Sequence, residues 1–230
     1  MTPYFDTRDA SVGVGIIAPT LFADVRILAC RADGKECRVC APSALAAAYF
    51  IFFVRGLPLS EAEIETPRGI YTARRVRNDE KCELILHKCK QICSKSAHFC
   101  QKCEIIYTDV QTDVGAARLY KCDDADCVSD ELLRELMLPA DADFAKIAIA
   151  YSFSDGVSKT KSLSVDKNEI NLDFLTAHAV ASVLPFSAYV GEKIKIISGG
   201  NELYFRRERG SLAVSSRFLR PLVFNTPSAH

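Results

Sequence analysis

Two stretches of the chain are apolar on every side, and most of the remainder alternates. Residues 44–54 read Ala-Leu-Ala-Ala-Ala-Tyr-Phe-Ile-Phe-Phe-Val. A helix with no polar face has to be buried, and the alanines propagate it. Pro42 suits its first turn and Gly56 its stop. Residues 173–189 are the second such stretch, with Pro185 set to break or kink the end. Between them lie strand-like segments at 24–30, 63–66, 70–76, 83–88, 104–110, 147–153, 193–197 and 203–206. Asp33-Gly34 predicts a hairpin with a return strand at 35–40, and Pro67-Arg68-Gly69 and Ser198-Gly199-Gly200 predict turns. Residues 128–138 predict a short helix capped by Ser129.

The order of elements occurs twice: apolar helix, alternating strand, glycine turn, then a strand ending in Arg-Arg (Arg74-Arg75, Arg206-Arg207). This predicts an internal duplication and an α+β fold of two lobes, each a curved, mostly antiparallel sheet around one central helix. The expected first lobe is 1–112, with its helix near 41–55 and a Cys-rich insertion at 82–103. The expected second lobe is 113–230, with its helix near 176–189 and the option that the last residues return to the first lobe. The duplication implies a pseudo-twofold arrangement with a cleft between the lobes.

Composition narrows the role. The 230 residues carry 29 Lys+Arg against 29 Asp+Glu, so charge gives no reason to expect nucleic acid or an anionic membrane as partner. The apolar run at 44–54 is too short for a membrane span, which takes roughly 20 residues. The N-terminus shows no basic stretch followed by an apolar one, which sets the cytoplasm as the expected compartment. The 10 cysteines are then expected as thiols used for packing, metal binding or nucleophilic chemistry.

Cys82, Cys89, Cys93, Cys100 and Cys103 cluster with His87 and His98. Cys89, Cys93, Cys100 and Cys103 together would suit a tetrahedral Zn2+ site; the competing reading is a set of scattered free thiols. Cys122 and Cys127 are a weaker pair. Gly13 and Gly15 read as strand glycines, because no helix and acidic residue follow as a nucleotide loop requires.

An ordered series of motifs resembles the diaminopimelate epimerases. Asp33-Gly34-Lys35-Glu36 precedes Cys40 and the Ala-rich helix, as that family's Asp-Gly hairpin precedes its Cys-Gly-Asn-Gly. Ile64-Glu65-Thr66-Pro67-Arg68-Gly69-Ile70 is similar to its Glu-Thr-x-x-Gly hairpin. Arg8 with Val12-Gly13-Val14-Gly15 looks like its Arg-x-x-Gly-Ile-Gly, and Gly191-Glu192-Lys193 with Gly199-Gly200 like its closing hairpin. The resemblance implies cofactor-free proton exchange between two cysteines, each at the start of a central helix. There the helix dipole and free N–H groups favour a thiolate and hold a substrate carboxylate.

The residues depart from that pattern in ways that matter. Cys40 matches the first thiol, but Ala41-Pro42 replace Gly-Asn, which removes a backbone donor and a binding amide. At the second site the nearest register is Phe174-Leu175-Thr176-Ala177-His178, with no cysteine beyond Cys127. Asp166-Lys167-Asn168 stand for Glu-Arg-Gly, and Ala116-Ala117-Arg118 for Asn-Pro-His. The family's first strand, with its substrate-binding Asn, is expected to be missing from this sequence. Cys40 reads either as a reactive thiol or as a buried remnant. His178, expected near the second helix start, reads either as a replacement base or as a structural histidine. Ala41, Pro42, Ser43, Thr176 and Ala177 are the expected ligand-binding positions. Three functions remain open. One is a catalytically degenerate relative binding a small molecule or partner in the cleft. Another is a cofactor-independent isomerase or epimerase of altered chemistry using Cys40. The third is a structural subunit pairing with an intact paralogue or with itself. No cofactor is expected, a Zn2+ ion in the cysteine cluster aside.

Overall fold

The computed structural model describes residues 14–30, 41–76, 81–100, 103–113, 115–137, 146–165, 172–185 and 193–216. It divides into two units, Met1–Leu86 with Ala213–His230, and His87–Leu212. The long hairpin at 90–112 belongs to the second unit, and residues 213–216 belong to the first. The fold is sheet-dominated α+β with few helices.

In the first unit the strands run in the order β1 (Val14–Ala18), β2 (Val25–Cys30), β3 (Glu61–Thr66), β4 (Gly69–Arg75), β5 (Cys82–His87) and β13 (Ser211–Ser216). Helix α1 (Ala41–Tyr49) packs on β2, β3 and β4. Ala44, Ala47 and Ala48 are fully buried, so only methyl groups separate the helix from the strands. Its last turns widen into a π-helical segment, Phe50–Val54, where the Arg55 N–H donates to Phe50 O. Gly56 then reverses the chain at φ 63, a conformation that glycine adopts without strain. The alternation that predicted β3 is visible in its burial: Ala62, Ile64 and Thr66 point inward and Glu61 and Glu63 outward.

In the second unit the order is β12 (Asn201–Arg207), β11 (Lys193–Ser198), β10 (Val157–Ser164), β9 (Ile147–Ser154), β8 (Gly115–Lys121), β7 (Cys103–Thr112) and β6 (Lys90–Cys100). Helix α3 (Leu172–Val183) packs on β7, β8, β10, β11 and β12. Helix α2 (Asp130–Met137) buries Leu133, Leu136 and Met137 against Ala148 and Ala150 of β9. Its cap is the expected one, with the Leu132 N–H donating to Ser129 Oγ at 3.2 Å.

The expected insertion at 82–103 is built into the sheets as β5 and β6. One feature of the repeat escapes a first reading of the sequence. Thr66 Oγ1 donates to Gly69 O at 2.9 Å, and Thr112 Oγ1 donates to Gly115 O at 2.7 Å. Both glycines have positive φ, 130 and 128. The β3–β4 and β7–β8 hairpins thus share one turn device, Thr-x-x-Gly, once in each unit. Among the described residues no helix is long and apolar enough to cross a membrane.

Candidate functional site

The start of α3 is tied to a glycine turn by polar side chains. The β11–β12 turn places Gly199 (φ 53) and Gly200 (φ 83) in left-handed conformations, as a two-residue hairpin requires. Asp173, in the first turn of α3, lies directly on Gly199 and leaves no room there for a Cβ. Its Oδ1 accepts from Ser198 Oγ and its Oδ2 from Asn201 Nδ2, each at 3.3 Å. An anionic side chain in this position also complements the helix dipole. Asp173 is the residue that sequence reasoning missed. The available signal was an acid at the N-terminal edge of an apolar stretch, a common mark of a helix start.

The predicted second-site positions need correcting. The helix begins at Leu172, so Thr176, Ala177 and His178 lie inside it rather than at its start. Thr176 and Ala177 are fully buried, and Thr176 Oγ1 has no hydrogen-bond partner. They offer no free backbone donors, because residues beyond the first turn spend their N–H groups within the helix. Pro185 closes the element early: α3 ends at Val183, before the expected 189.

His178 serves the docking of the β5–β6 link. His178 and Ser182 are one helical turn apart and so share a face. His178 Nε2 lies 2.8 Å from His87 O, and its Nδ1 lies 3.8 Å from Cys89 Sγ. A carbonyl oxygen only accepts, so Nε2 carries the proton and Nδ1 receives the Cys89 S–H. The Cys89 N–H donates to Ser182 Oγ at 2.9 Å, and Ser182 Oγ donates to His178 O at 2.8 Å. Burial lowers the His178 pKa, and burial pushes the Cys89 thiol up to about 11. Both groups are therefore neutral at pH 7, a thiol bonded to an imidazole rather than a thiolate–imidazolium pair.

The proposed zinc ligands are dispersed as far as they are described. Cys89 belongs to the cluster on α3. Cys93 donates to Asp109 Oδ2 at 3.6 Å, within a second buried group. There Arg118 Nε and Nη2 bond both Asp109 oxygens at 2.8 and 2.9 Å, and Nη1 donates to Leu136 O at 3.2 Å. The Arg118 guanidinium also lies 4.2 Å from the Tyr107 ring centre. Its hydrogen bonds to Asp109 raise its pKa further, so it stays charged. Cys100 and Cys103 face each other in register across the β6–β7 hairpin, and their side chains lie outside the described residues. Among the described residues no three His, Cys, Asp or Glu side chains converge on one point.

At the first site, Ala41 and Pro42 are buried at the start of α1 and Ser43 is half-buried. Cys40 and the Asp33-Gly34 turn lie outside the described residues, as do Asp166-Lys167-Asn168. Among the described residues, Cys82 in β5 brings a thiol to α1 and donates to Leu45 O at 3.8 Å. Burial pushes this thiol up to about 12.

Comparison with solved structures identifies the architecture. A PhzC/PhzF-type phenazine biosynthesis protein from Clostridium difficile (strain 630) superposes with a TM-score of 0.63 at 13% identity, covering 95% of this chain and 83% of that one. A phenazine biosynthesis protein of the PhzF family from Enterococcus faecalis gives 0.58 at 10% identity, over 93% and 80%. A hydroxyproline epimerase from Agrobacterium vitis, with bound trans-4-hydroxy-L-proline, gives 0.51 at 12% identity, over 96% and 75%. The chain has the diaminopimelate-epimerase-like fold. No protein-family model and no curated protein sequence matches it. At such identities the likeness fixes the fold, and the chemistry has to be read from the residues.

Proposed function

We propose that this chain is a non-epimerising member of the diaminopimelate-epimerase fold, and that it binds a small molecule rather than racemising an amino acid. The observation that supports this reading is the occupied start of α3. A two-thiol epimerase needs a cysteine there and free donors for a substrate carboxylate. This chain has Leu172, Asp173 and Phe174, with the Asp173 carboxylate already seated on the Ser198–Asn201 turn. A second carboxylate would meet it charge to charge. His178 does not replace the missing thiol, because it is set inside the helix with both nitrogens engaged. The ligand class that fits this end of α3 presents an ammonium, amide or hydroxyl group to Asp173.

One specific feature favours a second reading, an isomerase of altered chemistry. Asp173 is itself a fixed carboxylate at a helix start, and a carboxylate can carry a proton between two positions of a substrate. Incubation in D2O with diaminopimelate, trans-4-hydroxy-L-proline and a panel of other amino acids tests the first reading. No deuterium is expected at any α-carbon. Incorporation that disappears in Cys40→Ala would overturn it. Exchange or isomerisation that disappears in Asp173→Asn and survives Cys40→Ala would establish the second reading instead.

A further inference from the structure

We propose that Cys89 and His178 form a binding site for one thiophilic divalent cation, with Zn2+ as the type ion. The sequence placed Cys89 in a four-cysteine cluster; the structure gives it a different partner, an imidazole from α3.

Three observations support the pair. The Cys89 Sγ to His178 Nδ1 distance is 3.8 Å. Bonds of about 2.3 Å to sulfur and about 2.0–2.1 Å to nitrogen, near the tetrahedral angle, put the two ligand atoms roughly 3.6 Å apart. The ion would enter by a shift of a few tenths of an ångström. Secondly, the other ring nitrogen donates to His87 O at 2.8 Å, which fixes the ring and leaves the Nδ1 lone pair toward the sulfur. Metal-bound histidines are oriented in this way, through a carbonyl or carboxylate on the far nitrogen. Thirdly, the sulfur is held from the backbone side: the Cys89 N–H is bonded to Ser182 Oγ, one turn along α3 from His178.

The site is open, with two protein ligands and the rest of the coordination from water. Asp113, exposed on the turn between β7 and β8, adds negative charge in the vicinity of Cys89 and His178 without joining them as a third ligand. The exchange balances simply. The thiol loses its proton to solvent, the cation takes its place between sulfur and nitrogen, and nothing is oxidised or reduced. The imidazole is already neutral and needs no deprotonation. Because one proton leaves per ion bound, the apparent affinity is expected to rise about tenfold per pH unit while the thiol remains protonated.

The inference is independent of the ligand proposed at Asp173. The experiment uses the full chain, freed of metal by chelator, and Co2+ as a spectroscopic stand-in for Zn2+. One equivalent of Co2+ is expected to produce a near-ultraviolet sulfur-to-cobalt band, which Zn2+ then abolishes. The band is expected to be lost in Cys89→Ser and in His178→Gln and kept in Cys127→Ser. A wild-type chain with no band, or a band that survives Cys89→Ser or His178→Gln, overturns the site. A second measurement needs no variant. Zn2+ should slow alkylation of Cys89 at least tenfold, read by peptide mass, and unchanged labelling of Cys89 also overturns it.

Discussion

Among the described residues, a cysteine meets the long apolar helix of each unit, and the two contacts are chemically unlike. Cys82 of β5 meets α1 through a main-chain carbonyl, Leu45 O, and burial holds its thiol at about 12. Cys89, just past β5, meets α3 through a side-chain nitrogen, His178 Nδ1. The helices explain the difference. α1 presents alanines, Leu45 and then aromatic rings to its surroundings. α3 has fewer alanines and carries Thr176, His178 and Ser182 among them. Both units pack a helix bearing alanines against strands, and among the described residues α3 is the helix that offers a side-chain nitrogen to a thiol. A thiol acquires chemistry here from what the helix offers it, since burial alone raises both.

The largest test of this contrast concerns the polar interior of the second unit. Arg118 and Asp109 are buried, with side-chain exposures of 5% and 8%, and are bonded through both carboxylate oxygens. Arg118→Ala leaves Asp109 charged and without its main partner, which typically costs about 3–5 kcal/mol. Urea denaturation should show that loss. Arg74→Ala in the first unit removes the ion pair to Glu61, both largely solvated, and is expected to change stability by less than about 1 kcal/mol. Equal effects from the two would show that the interiors are not different in kind.

Packing should distinguish the units less. Ala47 in α1 and Ala177 in α3 are both fully buried. Leucine at either position forces the helix off the strands, and overpacking of this kind typically costs about 1–3 kcal/mol. Similar losses for Ala47→Leu and Ala177→Leu are expected by thermal or denaturant unfolding. A much smaller loss at one of them would mean that one helix sits loosely and the packing repeat is only apparent.

The β11–β12 turn sharpens the comparison within one motif. Gly199→Ala must place a methyl group where Asp173 lies, at φ 53, whereas nothing occupies the space beside Gly200. Left-handed backbone at a non-glycine costs on the order of 1–3 kcal/mol. Gly199→Ala should fall at the upper end and Gly200→Ala at the lower, measured by denaturant unfolding. In Asp173→Ala the difference should shrink, because the obstructing carboxylate is gone.

What could be read in advance follows the physics of each signal. Apolar runs locate buried helices well, so α1 and α3 stand where the alanines predicted them. The apolar stretch at 173–189 marks the start of α3 to within one residue, whereas the helix expected near 176–189 begins four residues after Leu172. Buried small residues carry no marker of where a helix begins, while Asp173, which does carry one, lay outside the register that the family resemblance suggested. The cysteine spacing carries less information than it suggests. Cys89 lies in the link before β6, whereas Cys93 lies within β6, past the register shift between Gln91 and Cys93. The two have separate partners, His178 and Asp109. The Thr112–Gly115 turn repeats the Thr-x-x-Gly of Thr66–Gly69, but dissimilar flanking residues hide the match in the sequence.

The mildest effect belongs to His178 and is a matter of sign. Burial lowers its pKa in the fold, below the value of about 6.5 expected in the unfolded chain. In the window between those two values the unfolded chain binds more protons than the folded one. Stability therefore rises with pH through that window, is fully present above about 6.5, and is lost as the pH falls below it. The structural reason is specific. A proton on Nδ1 would replace an accepted S–H bond from Cys89 with a donor facing a poor acceptor, and it would place a positive charge beside α3. With a chelator present to keep metal away, unfolding free energy is expected to fall between pH 7 and pH 5.5. One titrating group sets the slope at no more than about 1.4 kcal/mol per pH unit. His178→Gln retains a donor toward His87 O and cannot be protonated, so its stability profile should be flatter over the same interval. A wild-type and a His178→Gln profile that run parallel would show that His178 titrates as in the unfolded chain. In that case its contact with Cys89 would distinguish the second helix from the first in geometry but not in energy.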